Sequence, residues 1–252
     1  MIKMDLKDKK VIVTGGVRGI GKCLVGKLID EGAMVGVFDI DGEGIRDLER
    51  NNKNIYCKVC DVSNYDQVSV SVDSFYKEFQ KIDVLVNNAG IIYNSPLVSF
   101  TSEGIKKHDV EMWKKVISTD LSSIFFMTVN VVEKMVLKRT KGVIVNISSV
   151  NASGNLGQTA YSAAKAGVNA LTATWAKELS LLGIRVVGIA PGYTDTEATQ
   201  QSMAEDVLKD IIRKVPIRRL GNVDEIANGI IFLIKNDFFD GKVLELDGGL
   251  IV

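Results

Sequence analysis

The chain has 252 residues, 46% of them hydrophobic and 25% charged, and its 31 basic and 31 acidic side chains balance to a net charge of zero. That composition belongs to a globular protein with a full core, and the even charge gives no footing for a nucleic-acid partner. The N-terminus lacks the apolar stretch of a signal peptide and no uncharged apolar run of about 18 residues occurs, so no membrane partner and a cytoplasmic location are expected.

In chain order, Val11-Ile12-Val13 is a short apolar run closed by a glycine-punctuated turn, Thr14-Gly15-Gly16-Val17-Arg18-Gly19-Ile20-Gly21. Ile20 to Glu31 then has helical spacing through Leu24, Val25, Leu28 and Ile29, and Gly32 ends it. Met34 to Phe38 reads as a second buried strand stopping at Asp39. Further strands are expected at 55–60, 82–87, 143–147, 184–190 and 242–246, and helices near 64–80, 110–138, 160–182 and 222–235. Only three prolines occur, at 96, 191 and 216, and no linker-like run interrupts the alternation. Apolar strands alternating with amphipathic helices predict an α/β, single-domain, doubly wound (Rossmann) fold over residues 1–252, with about seven parallel strands and helices on both faces. The cofactor half is placed at about 1–150 and the catalytic and substrate part at about 140–252.

Cys23, Cys57 and Cys60 are an odd, sparse set that fits a reducing compartment. Cys57 and Cys60 lie on one predicted strand, where residues three apart point to opposite faces, so no metal site is assigned. His108, the single histidine, sits in the charged stretch Lys106-Lys107-His108-Asp109 and is expected to be solvated.

The chemistry-bearing residues follow strands: the glycine turn, Asp39, Asp61, Asn87 to Gly90, Ser148 and Pro191-Gly192. Doubly wound sheets bind ligands at those carboxyl ends. A glycine turn opening a helix lets the backbone approach a pyrophosphate and offers it free N–H groups and a positive dipole end. Tyr161 and Lys165, four residues apart, share a helix face. The ammonium favours phenolate, so a side chain with an ordinary pKa of about 10 becomes usable as acid and base.

These motifs resemble the short-chain dehydrogenase/reductase family, and the likeness covers essentially the whole chain. The family pattern T-G-x-x-x-G-x-G falls on Thr14 to Gly21, N-N-A-G on Asn87 to Gly90, the catalytic serine on Ser148, Y-x-x-x-K on Tyr161 to Lys165, and the P-G turn with its threonines on Pro191-Gly192 and Thr194-Asp195-Thr196. The resemblance implies that Tyr161 exchanges a proton with the substrate oxygen while hydride passes to or from a nicotinamide. Lys165 would lower the tyrosine pKa and bind the nicotinamide ribose, and Ser148 would hold the substrate oxygen. Ser149 is the competing serine; the stretch Gly154 to Gln158 resembles acyl-carrier-protein reductases, whose register selects Ser148. Asn155 and Tyr193 join Ser148 and Tyr161 as expected substrate contacts. The cofactor is expected to meet Gly15, Arg18, Gly19, Ile20, Gly21, Asp39, Asp61, Val62, Asn88, Ala89, Gly90, Pro191, Gly192, Thr194 and Thr196, besides Tyr161 and Lys165.

Two departures matter. Where the family has an asparagine of the proton relay, Ser118-Thr119-Asp120-Leu121 places Asp120. The 91–113 segment is longer than in most relatives and should border the site mouth, as lid or as surface excursion. Asp39 favours NAD(H), because it would accept both ribose hydroxyls and repel a 2′-phosphate; Arg18 leaves NADP(H) open. The expected activity is oxidation of a secondary alcohol or reduction of its ketone, with a 3-oxoacyl-carrier-protein reductase using NADPH, or a catalytically silent nucleotide sensor, as alternatives. Helices near 110–138 and 160–182 are apolar around much of their circumference, which suggests a homotetramer, or a dimer next.

Overall fold

The computed structural model describes residues 4–52, 55–102, 104–202 and 205–250. Seven strands form one parallel sheet: β1 (Lys10–Thr14), β2 (Met34–Asp39), β3 (Ile55–Val59), β4 (Val84–Asn87), β7 (Val143–Ile147), β8 (Arg185–Pro191) and β9 (Val243–Leu246). Their order is β3-β2-β1-β4-β7-β8-β9. The reversal between β1 and β4 opens a crevice at the carboxyl ends. Strands β5 (Val98–Thr101) and β6 (Gly104–Lys107) pair separately as an antiparallel hairpin.

The β-branched strands bury both faces, as a helix-covered parallel sheet requires. Val11, Val13, Val84, Val86, Val143 and Val145 pack in one cluster, with α1 (Gly19–Asp30) and α9 (Val223–Lys235) over them. The intervening Ile12, Leu85 and Ile144 join a second cluster on the other face. There α3 (Tyr65–Phe79) and α5 (Ser123–Leu137) contribute Phe75, Met127 and Met135, and α6 (Thr159–Leu179) adds Ala176. Cys57 packs against the first cluster and Cys60 within the second, on opposite faces.

The helices start where side chains cap them. Asp41 accepts from the Glu43 and Gly44 N–H groups to open α2 (Gly42–Asn51), and Asn64 does the same for Gln67 at α3. Asp109 caps α4 (Val110–Ile117), and α9 begins with a reciprocal capping box between Asn222 and Glu225. The predicted helix near 110–138 is continuous, yet one wide π turn at Ser118–Ser122 joins α4 to α5. Between β8 and α9 the chain forms α7 (Glu197–Ser202) and α8 (Glu205–Lys214). Met203, Ile251 and Val252 lie outside the described residues. Trp175 packs partly buried against the second cluster.

Candidate active site

A cavity of about 910 Å³ runs along the carboxyl ends of the strands. Every candidate residue named from sequence lines it except Asn155. Asn155 stands behind the wall: its Nδ2 donates to the Tyr193 hydroxyl at 2.9 Å and to Asn151 Oδ1 at 3.1 Å.

One end of the cavity is the glycine turn. Gly15 has φ +67°, and a Cβ there would come within 2.8 Å of the Ala89 Cα; a Cβ on Gly21 would strike the Gly15 carbonyl oxygen. Asn88 locks the turn, its Nδ2 donating to the carbonyls of Thr14 at 3.0 Å and Gly15 at 2.8 Å. The Thr14 hydroxyl accepts from the Asn88 and Ala89 N–H groups in return. The result is a backbone cradle at the start of α1, with room for a pyrophosphate and none for side chains. Beside it, Asp39 ends β2; Oδ2 accepts from the Val17 N–H at 3.2 Å and Oδ1 from the Asp41 N–H at 3.0 Å. Asp61 turns one carboxylate oxygen to the Ser63 N–H and hydroxyl, next to buried Val62. Gly192, Thr194 and Thr196 line the opposite side after β8, the Thr194 hydroxyl donating to the Gly192 carbonyl at 3.1 Å. A cradle, a carboxylate beside it and a polar far wall along one cleft fit a dinucleotide.

The chemical end is built from β7, α6 and the π turn. Lys165, 4% exposed, donates to the Ile147 carbonyl at 3.0 Å, lies 3.5 Å from Asp120 Oδ2 and sits 5.5 Å from the Tyr161 ring centre. Asp120 is fully buried, and its Oδ1 accepts from the Ile91 N–H at 2.8 Å. Burial pushes its carboxyl above the ordinary range, against the opposing pulls of Lys165 and the Ile91 N–H. The Tyr161 phenol also moves up, not down as its lysine alone would dictate. Desolvation is the largest influence, Lys165 opposes it, and the Asp120 carboxyl adds to it.

The two serines face different ways. The Ser149 hydroxyl accepts from the Asn151 N–H at 3.2 Å and lies near enough to the Tyr161 phenol to draw its pKa down, against the larger push of burial. Ser148, the serine chosen by register, instead donates from Oγ to Asn169 Oδ1 at 2.5 Å, with the Lys165 carbonyl at 3.4 Å. Its side chain is thus committed to α6, because the extended strand turns successive residues to opposite sides. Below them a buried chain of hydrogen bonds, Thr128 with Asn87, Asn87 with Asn146 and Asn146 with Thr172, clamps β4 and β7 to α5 and α6.

The long 91–113 segment only starts at the cavity, through Ile91 and Ile92. Its hairpin stands away from the wall and is tied back by the Ser95 N–H to the Gly157 carbonyl at 2.7 Å and by Gln158 Nε2 to Asn94 Oδ1 at 3.0 Å. His108 is half-buried rather than solvated, packed edge-on against Tyr93 with Nδ1 3.1 Å from the Ser95 carbonyl. No residue of α8 lines the cavity. Gln158, read from sequence as a polar group of the pocket, does line it; so does Asp41, which was not assigned to the site from sequence. The signal for Asp41 was present, as a helix-capping aspartate two residues beyond Asp39.

A doubly wound sheet with a glycine cradle at its switch point and a tyrosine–lysine pair at the cavity floor defines a nicotinamide-dependent oxidoreductase acting on CH–OH groups. The chain belongs to the short-chain dehydrogenase family, whose pattern it matches over residues 9–207. It is 37% identical over 256 residues to the 3-oxoacyl-acyl-carrier-protein reductase of Thermotoga maritima, covering 99% of this chain and 100% of that one. The corresponding reductase of Escherichia coli is 33% identical over 253 residues, 98% and 99% of the two chains. The sorbitol-6-phosphate 2-dehydrogenase of Klebsiella pneumoniae is 34% identical over 263 residues, 98% and 97% of the two chains.

Proposed function

We propose that the 252 residues act as one unit, an NAD(H)-dependent dehydrogenase of a small secondary alcohol. The observation that carries this reading is the line of hydroxyl, phenol, ammonium and carboxyl formed by Ser149, Tyr161, Lys165 and Asp120 on the cavity floor. A bound nicotinamide dinucleotide supplies the hydride acceptor or donor. Ser149 holds the substrate oxygen against the Tyr161 phenol. In reduction the protonated phenol gives its proton to the carbonyl oxygen, and in oxidation the phenolate takes the hydroxyl proton. Lys165, whose Nζ lies 5.5 Å from the Tyr161 ring centre, stabilises that phenolate. Asp39, backed by two N–H groups, offers its carboxylate to the adenosine ribose.

Asn151, Gln158 and Tyr193 give the substrate end polar walls, which suits an oxygen-rich alcohol, and the sorbitol-6-phosphate dehydrogenase relative agrees with that. The second reading, 3-oxoacyl-carrier-protein reduction with NADPH, is favoured by the several reductase relatives and by the Gly154 to Gln158 loop. The protein is proposed to work in the cytoplasm as a homotetramer, with a dimer next, since Phe125, Val129 and Val136 leave an apolar stripe exposed on α5.

The test is Tyr161→Phe, read by turnover of secondary alcohols with NAD and by NADH fluorescence titration. Turnover is expected to fall by about 10³-fold with cofactor still bound. A variant that keeps its turnover removes Tyr161 as acid and base; a protein whose whole function survives the substitution is a nucleotide sensor instead.

A further inference from the structure

The cofactor end of the cavity carries a charge arrangement that the sequence did not reveal. Arg18 projects from the glycine turn with 72% of its side chain exposed, and its Nη2 donates to Asp41 Oδ2 at 2.5 Å. Asp39 is held instead by the backbone N–H groups of Val17 and Asp41. The second oxygen of Asp41 accepts from the Glu43 and Gly44 N–H groups at 3.1 Å each, so this carboxylate is fixed at the start of α2. Arg18, Asp39 and Asp41 all line the cavity, and Arg18 is the one cation that the β1–α1 and β2–α2 turns bring to it.

We propose that Asp41 sets the cofactor preference by holding Arg18, so that the guanidinium which would bind a 2′-phosphate is occupied and a second carboxylate faces that phosphate. The inference rests on the dinucleotide-binding reading and names a specificity residue within it. Arginine is the side chain best suited to fork onto a phosphate. While Asp41 occupies it, a phosphate arriving at this corner meets two carboxylates and a neutralised cation, an unfavourable juxtaposition of like charges. The Gly44 N–H and Arg18 hold the Asp41 carboxyl below its ordinary range, so it remains charged at any working pH. With the Asp41 charge removed, the Arg18 guanidinium is free to turn to a phosphate. Asparagine at position 41 keeps an oxygen for capping α2 while removing the charge.

The experiment titrates the purified full-length chain with NADH and with NADPH, followed by nicotinamide fluorescence, in the wild type, Asp41→Asn, Arg18→Ala and the double variant. Asp41→Asn is expected to raise NADPH affinity relative to NADH by about tenfold, and adding Arg18→Ala to abolish that gain. Melting temperatures identify any variant that fails to fold, and Asp41→Ser then serves as the second capping replacement. An unchanged NADPH to NADH ratio in a folded Asp41→Asn, a gain that persists without Arg18, or a wild type that already prefers NADPH each overturns the proposal. If the wild type binds neither cofactor, the dinucleotide reading itself falls.

Discussion

Ser148 and Ser149 are neighbours whose hydroxyls meet α6 two turns apart, one bonded to Asn169 and the other near the Tyr161 phenol. Ser149→Ala is expected to lower turnover by about 10²-fold with little change in melting temperature, by removing the group that holds the substrate oxygen. Ser148→Ala is expected to cost about 1 kcal/mol of stability, because the part-buried Asn169 oxygen loses its donor, and to leave most of the turnover. The reverse pattern in steady-state kinetics and denaturant unfolding returns the role to Ser148. Asp120 makes the other sharp statement at this scale. Its folded-state pKa is raised, chiefly by burial, so the native chain binds that proton more tightly than the unfolded chain. The stability linked to it is present below the ordinary aspartate value of about 4 and is lost as pH rises through the raised value. Asp120→Asn is therefore expected to keep or raise turnover, and to gain in melting temperature relative to the wild type as pH rises from about 4 to about 8. A gap that stays constant with pH, or complete loss of turnover in a folded variant, shows that the carboxylate works in its charged form.

At the scale of elements, the strongly periodic segments were legible and the weakly periodic ones were not. α2 has Ile45 as its one buried residue among mostly charged neighbours, so no apolar stripe announced it; the Asp41 cap was the available cue. The 28 residues of Val110–Leu137 read as one helix, and nothing in the pattern marked the wide turn at Ser118–Ser122. That turn inserts an extra residue and carries Asp120 inward to Lys165, a placement that such irregular turns often serve at functional sites. The β5–β6 hairpin escaped notice because Phe100 and Ile105 are exposed and lysines flank them, leaving no alternation of buried and solvated positions. Before α9, Arg219 grips Glu225 through two bonds of 2.7 Å, and with the Asn222 N–H it brings that carboxyl down to about 2. The capping box is thus pinned from outside the helix. Asn222→Ala is expected to cost about 1 kcal/mol in urea unfolding with an unchanged slope; an unchanged midpoint means that water replaces the cap fully.

For the whole molecule, the sheet order puts the β1–β4 switch point under the glycine cradle and brings residues from six strand ends to one cavity. Two cores, one on each face of the sheet, hold that arrangement. What they leave uncovered is on α5, where Phe125 is 49% and Val129 42% exposed, and near the end of α9, where Phe232 is 50% and Phe238 95% exposed. Two apolar patches on different sides are what the proposed tetramer would need for two distinct two-fold contacts. Phe125→Glu is expected to halve the mass measured by light scattering, because a charge placed in one contact leaves the other intact. A mass that does not change removes α5 from the assembly.

The sequence by itself determined the alternation of strands and helices, and with it the doubly wound class, because burial on both sheet faces writes itself as uninterrupted apolar runs. It also determined the family and the identity of the Tyr161 and Lys165 pair, since a four-residue spacing on a helix fixes which side chains share a face. Only the tertiary structure decided which of two adjacent serines meets Tyr161, that Arg18 pairs with Asp41 and not Asp39, and that desolvation outweighs Lys165 in the tyrosine pKa. Each of these depends on the direction of a side chain or on the water it has lost, and both are set by residues distant in the chain.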